Sequence, residues 1–213
     1  MNACATIALA VAAAFSNGAL AAEEAMSKEQ YKAAAEQIER EFDGARERCD
    51  SLAGNAKDIC RAEARADERT ARAELDAQRK PGPRADYEAS KTRAEGEYEV
   101  AREKCDDLSG NAKDVCVKEA RAARTKAIAE AKSDRATAQA GTSGLRPRTQ
   151  GYGEAVQRNK ERVAETKEEA AQDVDEARRE VARERCDRYA GDARDRCLEN
   201  AEKVPGRPVT QTR

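Results

Sequence analysis

The sequence contains no histidine and no tryptophan, and only 3% of its 213 residues are aromatic. Without histidine, the chain lacks the side chain that most often serves as a general base and metal ligand near neutral pH. Large apolar side chains are also scarce, because alanine supplies much of the 39% hydrophobic fraction. Such a composition does not fill the core of a large enzyme domain. We therefore predict a protein that is not an enzyme.

Charge is abundant but balanced, since 40 Lys and Arg residues and 42 Asp and Glu residues give a net charge of -2. Nucleic-acid binding needs a basic surface, whereas the basic clusters at 84–93 and 158–162 are interleaved with acids. The glycines of Gly151-Tyr152-Gly153 are too few for a phosphate-binding loop. Adjacent carboxylates such as Glu168 and Glu169 are expected by chance in so acidic a chain. We predict no nucleic-acid partner, no cofactor and no metal.

The N-terminal segment, residues 1–21, differs from the rest of the chain. It is apolar from Ala3 to Phe15 and ends in the small-x-small triplet Ala19-Leu20-Ala21, although no basic residue precedes the apolar run. This pattern is typical of a secretory signal peptide that is cleaved after Ala21. A membrane anchor is the alternative, but the run is shorter than the ~20 residues that cross a bilayer. We expect an exported protein, periplasmic or secreted, with no stable membrane span after signal removal.

A twelve-residue unit with a cysteine at each end occurs three times. Its copies are CDSLAGNAKDIC at Cys49 to Cys60, CDDLSGNAKDVC at Cys105 to Cys116, and CDRYAGDARDRC at Cys186 to Cys197. The first two are identical at nine positions, and the third matches the first at seven. A shift of 56 residues aligns the first two copies over a longer span, and the third lies 81 residues further on. The chain therefore repeats one structural unit.

Each unit carries the signature of a turn between two helices. A glycine stands where the end of the first helix needs a left-handed residue, and it is followed by Asn or Asp, which are preferred helix N-caps. These turn residues are Gly54 and Asn55, Gly110 and Asn111, and Gly191 and Asp192. One helix ends and another begins within each unit, which predicts three antiparallel helical hairpins.

The two cysteines of each unit lie at similar distances from the turn, so an antiparallel helix pair brings them to the same height. Alanine-rich helices approach closely enough for the ~5.5 Å Cα separation of a disulfide. The repeat favours pairing within each unit, as Cys49–Cys60, Cys105–Cys116 and Cys186–Cys197. Redox-active thiols and zinc ligation between hairpins are the alternatives. A spacer of ten residues and the absence of histidine speak against them.

The first helix is predicted to begin after Ser27, the N-cap of a capping box with Gln30, and to run to about Ala53. Its apolar residues recur at steps of three and four, which is typical of a coiled-coil seam. This stripe consists of Tyr31, Ala35, Ile38, Phe42, Ala45, Cys49 and Leu52. We expect it to pack on the return helix of the same hairpin.

Proline and glycine divide the chain into segments. We predict an all-α protein of three long helical hairpins, each pinned by a local disulfide, over residues 22–80, 84–138 and 154–203. Residues 139–153 form a flexible linker between the second and third hairpins, and residues 204–213 a disordered tail. The sequence leaves open whether the hairpins form a loose bundle or an extended array, and whether their seams self-associate.

The repeated CD-x-L-x-GNAKD-x-C unit, together with the signal peptide and the helices rich in alanine and charge, resembles a group of exported helical proteins of proteobacteria that are often labelled TolA-like by composition. The match is close at Cys49 to Cys60 and Cys105 to Cys116, and looser at Cys186 to Cys197. The resemblance implies a place in the cell envelope and supplies no catalytic activity. We expect a periplasmic or cell-envelope structural or interaction protein that presents charged helical faces to envelope partners. A holdase-type chaperone is the alternative.

Overall fold

A computed structural model describes residues 26–142 and 152–203. This part of the chain forms six helices and no strand, which confirms the predicted all-α class. The helices are α1 (Lys28–Asp50), α2 (Gly54–Arg79), α3 (Pro83–Cys105), α4 (Gly110–Thr142), α5 (Tyr152–Cys186) and α6 (Gly191–Glu202). The predicted cleavage after Ala21, the middle of the predicted linker and the predicted tail lie outside the described residues.

Local sequence signals set the helix starts. The predicted capping box is confirmed, because the Ser27 hydroxyl accepts a hydrogen bond from Gln30 N at 3.1 Å and Gln30 Oε1 accepts one from Ser27 N at 2.9 Å. These two bonds satisfy backbone donors that a helix start leaves free. Pro83 lies in the first turn of α3, where its missing N–H costs no helical hydrogen bond.

The helices extend into the segment that was predicted as a linker. α4 continues to Thr142 instead of ending near Ala138, and α5 begins at Tyr152, so residues 139–142 and 152–153 are helical. Ala140 of α4 lines an open groove together with Val156 and Val163 of α5. Packing between the two helices therefore continues beyond the predicted boundary and favours the longer helices.

Each helix packs only against the helices next to it in sequence: α1 on α2, α2 on α3, α3 on α4, α4 on α5 and α5 on α6. The hairpins α1/α2, α3/α4 and α5/α6 therefore stand side by side in a single layer, with their disulfide turns at the same end. Within residues 26–142 and 152–203, no contact closes α1 onto α4 or α6. The arrangement is the extended array, not the loose bundle.

Small side chains fill the space between the helices. Of the 16 buried apolar side chains in the described part, eleven are alanines. α2 and α3 approach closely at Gly96, where an added Cβ would lie 2.9 Å from the Cβ of Ala66. Because an alanine removes little apolar area from water, at ~25 cal/mol per Å², this core contributes less burial energy than a leucine core of the same length.

Ion pairs bridge the helices at the edges of this alanine core. Arg69 of α2 donates two hydrogen bonds to the carboxylate of Glu99 on α3, at 3.0 and 2.5 Å. Other pairs between neighbouring helices are Arg93–Glu74, Lys118–Glu180 and Lys132–Asp173. Exposed pairs of this kind contribute ~1 kcal/mol or less each, so their main effect is to set the register of the helices.

At the open end of each of the first two hairpins, an arginine of the second helix stacks on a tyrosine of the first helix. The guanidinium carbon of Arg79 lies 4.4 Å from the ring centroid of Tyr31, and that of Arg135 lies 4.4 Å from the ring of Tyr87. The two pairs are related by the same shift of 56 residues that aligns the cysteine units. The Tyr31 hydroxyl also donates to Asp76 at 2.8 Å, and this hydrogen bond raises the pKa of Tyr31. Both hairpins are thus fastened at each end.

The close approach at Gly96 makes a testable prediction. We expect Gly96→Ala to lower the free energy of unfolding by about 1 kcal/mol, since overpacking against Ala66 outweighs the gain in helix propensity. Gly44 is the matched control, because it is also a helical glycine and an added Cβ would meet only the end of the Arg48 side chain, at 3.6 Å. Gly44→Ala should raise stability. Equal effects of the two substitutions in urea unfolding would contradict the packing account.

Candidate functional site: the disulfide turns

Three disulfides join the paired helices, as the repeat predicts. The Cα atoms are 5.5 Å apart in Cys49–Cys60, 5.7 Å in Cys105–Cys116 and 5.6 Å in Cys186–Cys197. The first cysteine of each pair is fully buried between the two helices, and the second is partly exposed. The predicted pairing within each unit is confirmed. The sulfurs that zinc ligation would need are oxidised, which removes the basis of that alternative.

The turn glycines have the predicted left-handed conformation, but they lie at a different place in the turn. Their φ angles are +56° at Gly54, +55° at Gly110 and +56° at Gly191. The prediction placed each glycine at the end of the first helix, whereas α1 ends at Asp50 and Gly54 is the first residue of α2. The glycine therefore starts the return helix, and a side chain at this position would be strained.

The predicted N-cap role of the asparagines is wrong. The residue that precedes α2 is Ala53, and no side chain caps this helix. The amide nitrogen of Asn55 instead donates to the backbone carbonyl of Glu103 at 3.0 Å, and that of Asn111 donates to the carbonyl of Glu184 at 2.9 Å. These carbonyls belong to the last turns of α3 and α5, and each also accepts a backbone hydrogen bond, from Asp106 N at 3.1 Å and from Asp187 N at 3.2 Å. Each asparagine therefore links its own hairpin to the next one.

Asp192, the third residue of this set, was also predicted as an N-cap. It lies in the first turn of α6, after Ala190, and no side chain caps this helix. Its negative charge near the N-terminus suits the helix dipole. No further hairpin follows α6 in the described part of the chain, so Asp192 has no equivalent of the carbonyl that Asn55 and Asn111 contact.

An ion pair that was not predicted from the sequence crosses each turn beside the disulfide. Asp50 pairs with Lys57 at 3.2 Å and with Arg61 at 2.8 Å. The aligned pairs are Asp106–Lys113 at 2.8 Å and Asp187–Arg194 at 2.8 Å. The signal was present, because each unit has an acid one residue after its first cysteine and a base eight residues after it. Hydrogen bonds from Lys57 and Arg61 lower the pKa of Asp50.

Large apolar side chains project from each turn, contrary to the prediction that Leu52 lies in the buried seam. Because α1 ends at Asp50, Leu52 lies in the turn, and its N–H donates to the carbonyl of Cys49 at 3.1 Å. Leu52 is 41% exposed, and the aligned Leu108 and Tyr189 are 43% and 41% exposed. We call these three residues the turn row. They are the exposed large apolar side chains of the described part.

Comparison with protein-family models, with curated proteins and with solved structures finds no match to the chain. None of the six described helices is apolar over a length that would cross a membrane. In residues 26–142 and 152–203, no group of three or more Cys, Asp or Glu side chains is placed to hold a metal ion. Glu168 and Glu169 are exposed on α5. Three disulfides are typical of proteins in an oxidising compartment.

The disulfides should supply a large part of the stability. We expect replacement of Cys105 and Cys116 by alanine to lower the free energy of unfolding by about 3 kcal/mol, because the bridge restricts a short loop in the unfolded chain. Urea unfolding without reductant measures this loss. Peptide mapping of the wild-type protein without reductant should recover the three bridges within the units. Free thiols or bridges between hairpins would contradict the pairing.

Stability should also fall in acid. The pKa of Asp50 is lowered by Lys57 and Arg61, and that of Glu99 is lowered by the hydrogen bonds from Arg69. A carboxyl group with a lowered pKa in the folded state stabilises the fold above its ordinary pKa, near 4, and loses this effect as the pH falls through the lowered value. We expect the free energy of unfolding to decrease as the pH falls below about 4.

The double variant Asp50→Asn/Glu99→Gln should show a shallower dependence on pH in this range. Asp107→Asn is the matched control, because Asp107 lies in the second turn and has no ion-pair partner among the described residues. It should keep the wild-type slope. The same slope for the double variant and the wild type, measured by urea unfolding at several pH values, would contradict the assignment.

Proposed function

We propose that the chain is a non-enzymatic structural or interaction protein of the periplasm or cell envelope. The observation that carries this proposal is the repetition of a surface feature. Leu52, Leu108 and Tyr189 project from aligned positions at one end of a single layer of helices. A row of equivalent exposed apolar side chains on disulfide-linked hairpins suits a protein that contacts a partner at several points.

The charged faces of the layer fit the same role. A layer one helix thick exposes two broad faces, and these carry intermixed acids and bases that sum to a net charge of -2 over the whole chain. Interspersed charges of this kind give specificity and orientation more than affinity. Partly exposed leucine and tyrosine side chains supply apolar area that a partner can bury. Together, the turn row and its charged surroundings form a surface for protein partners.

Export to the periplasm or cell envelope is supported by two independent features. Residues 1–21 have the pattern of a signal peptide, and the mature chain would retain six cysteines that pair without a remainder. Structural disulfides such as these three form and persist in oxidising compartments. The resemblance to exported TolA-like helical proteins points to the same place.

A holdase-type chaperone is the second candidate, and the turn row is the observation that favours it. Exposed Leu and Tyr side chains are the kind of surface that an unfolded chain binds. The row contains only three such residues, on separate hairpins, and each is more than half covered, whereas an apolar binding site is typically a contiguous patch of several hundred Å². The first proposal therefore takes precedence.

Cross-linking of the full exported protein in the periplasm tests the proposal. We expect the wild type to cross-link to a defined set of envelope proteins. The variant Leu52→Ser/Leu108→Ser/Tyr189→Ser should lose most of these products, since it removes the apolar anchors. The matched control Ala33→Ser/Ala123→Ser/Ala164→Ser changes three exposed helix positions away from the turns and should keep them. Recovery of no envelope protein by the wild type would contradict the proposal.

An aggregation assay separates the two candidates. The interaction proposal predicts that the oxidised protein, at equimolar concentration, does not prevent aggregation of an unfolded exported protein and does not bind an apolar dye. If the wild type suppresses aggregation and the triple variant of the turn row does not, the holdase replaces the first proposal.

A further inference from the structure

The first and second hairpins meet through two polar contacts near the disulfide end. Asn55 donates to the carbonyl of Glu103, and Lys104 pairs with Glu63 at 2.9 Å. The return helix α2 thus offers a donor and a carboxylate, and the last turn of α3 offers an acceptor and a cation. Glu63 follows Asn55 by eight residues.

The second and third hairpins meet through the same pair of contacts. Asn111 donates to the carbonyl of Glu184, and Arg185 pairs with Glu119 at 2.6 Å. Glu119 follows Asn111 by eight residues, and Glu184-Arg185 align with Glu103-Lys104. The two interfaces therefore share one recognition pattern, in which an asparagine and a glutamate of one hairpin bind the end of the first helix of the next.

The third hairpin lacks this pattern on its free side, by which we mean the side of α6 that packs on no other helix of the described part. Its aligned residues are Asp192 and Asn200, both exposed. A carboxylate cannot donate a hydrogen bond to a carbonyl, and a neutral amide offers no charge to a lysine or arginine. The position that aligns with Ala66 of α2 is Lys203, which follows the last residue of α6. The donor, the carboxylate and the alanine of the internal interface are therefore each replaced at the aligned positions of the third hairpin.

The first hairpin is changed on its own free side. The residue of α1 that aligns with Gly96 of α3 is Arg40, which is exposed. Gly96 permits the close approach of α3 to Ala66 on α2. A long charged side chain at the same position keeps an incoming helix away from α1, although Arg48 still aligns with Lys104. Both ends of the layer therefore differ from its two internal interfaces.

We infer that the Asn–Glu pair is a docking surface specific for another hairpin of this repeat, and that Arg40, Asp192 and Asn200 close the layer at three hairpins. A second copy of the chain is the partner that these substitutions exclude. Repeat proteins need such end units, because an open repeat surface would add further copies head to tail.

The docking pair is tested by placing the aligned residues of the third hairpin, Asp192 and Asn200, at the corresponding positions of the first. The full-length oxidised variant Asn55→Asp/Glu63→Asn makes this exchange. We expect backbone amides of α2 at the α2–α3 interface to exchange hydrogen roughly fivefold faster, with α5 and α6 unchanged as the internal reference. The control Asp192→Ala/Asn200→Ala should leave exchange as in the wild type. Unchanged exchange at the α2–α3 interface would overturn the docking role.

Placing the residues of the internal interfaces on α1 and α6 tests whether their replacement closes the layer. The wild type should sediment as a monomer at all concentrations. The variant Arg40→Gly/Asp192→Asn/Asn200→Glu/Lys203→Ala restores all four aligned positions and should associate head to tail, with a sedimentation coefficient that rises with concentration. Arg40→Gly alone should remain monomeric, because α6 still lacks the donor and the carboxylate. Head-to-tail association of the wild type, or a restored variant that stays monomeric, would overturn the closure.

Discussion

The close approach of alanine-lined helices is the constraint on which the rest of this structure depends. It permits the Cα separation of 5.5 Å that the Cys49–Cys60 disulfide needs, and it also limits the apolar area that folding buries. The disulfide compensates for that limit at the turn, and the stacked pair of Tyr31 and Arg79 does so at the other end of the hairpin. The small buried apolar area and the disulfides and stacked pairs that compensate for it thus both follow from the alanine-rich composition.

The sequence predicts those features that depend on neighbours along the chain. The capping box of Ser27, the glycine of each turn and the cysteine pairing all follow from short-range spacing, and the structure has them. The predictions for Leu52, as a buried residue, and for Asn55, as an N-cap, were wrong for a common reason. Their positions depend on where α1 stops and on which hairpin stands beside the turn, and neither is encoded in the local pattern. The greater length of α4 has a similar cause, because packing against α5 extends it.

The single layer also explains how a repeated unit can form the proposed interaction surface. Stacking the hairpins side by side places Leu52, Leu108 and Tyr189 at one end, each beside an ion pair that crosses its turn. The docking pairs keep the hairpins in register, so the spacing of the exposed side chains is fixed by the frame. Divergence of the third unit at Asp192 then limits the frame to a defined length.

Small-angle X-ray scattering of the oxidised mature protein tests the central claim, the single layer of three hairpins, most directly. A compact fold of this size has a radius of gyration of about 16 Å. A layer one helix thick, with α5 alone about 50 Å long, predicts a clearly larger radius and the scattering profile of a flat particle. A radius near that of the compact fold, with the profile of a globular particle, would contradict the account.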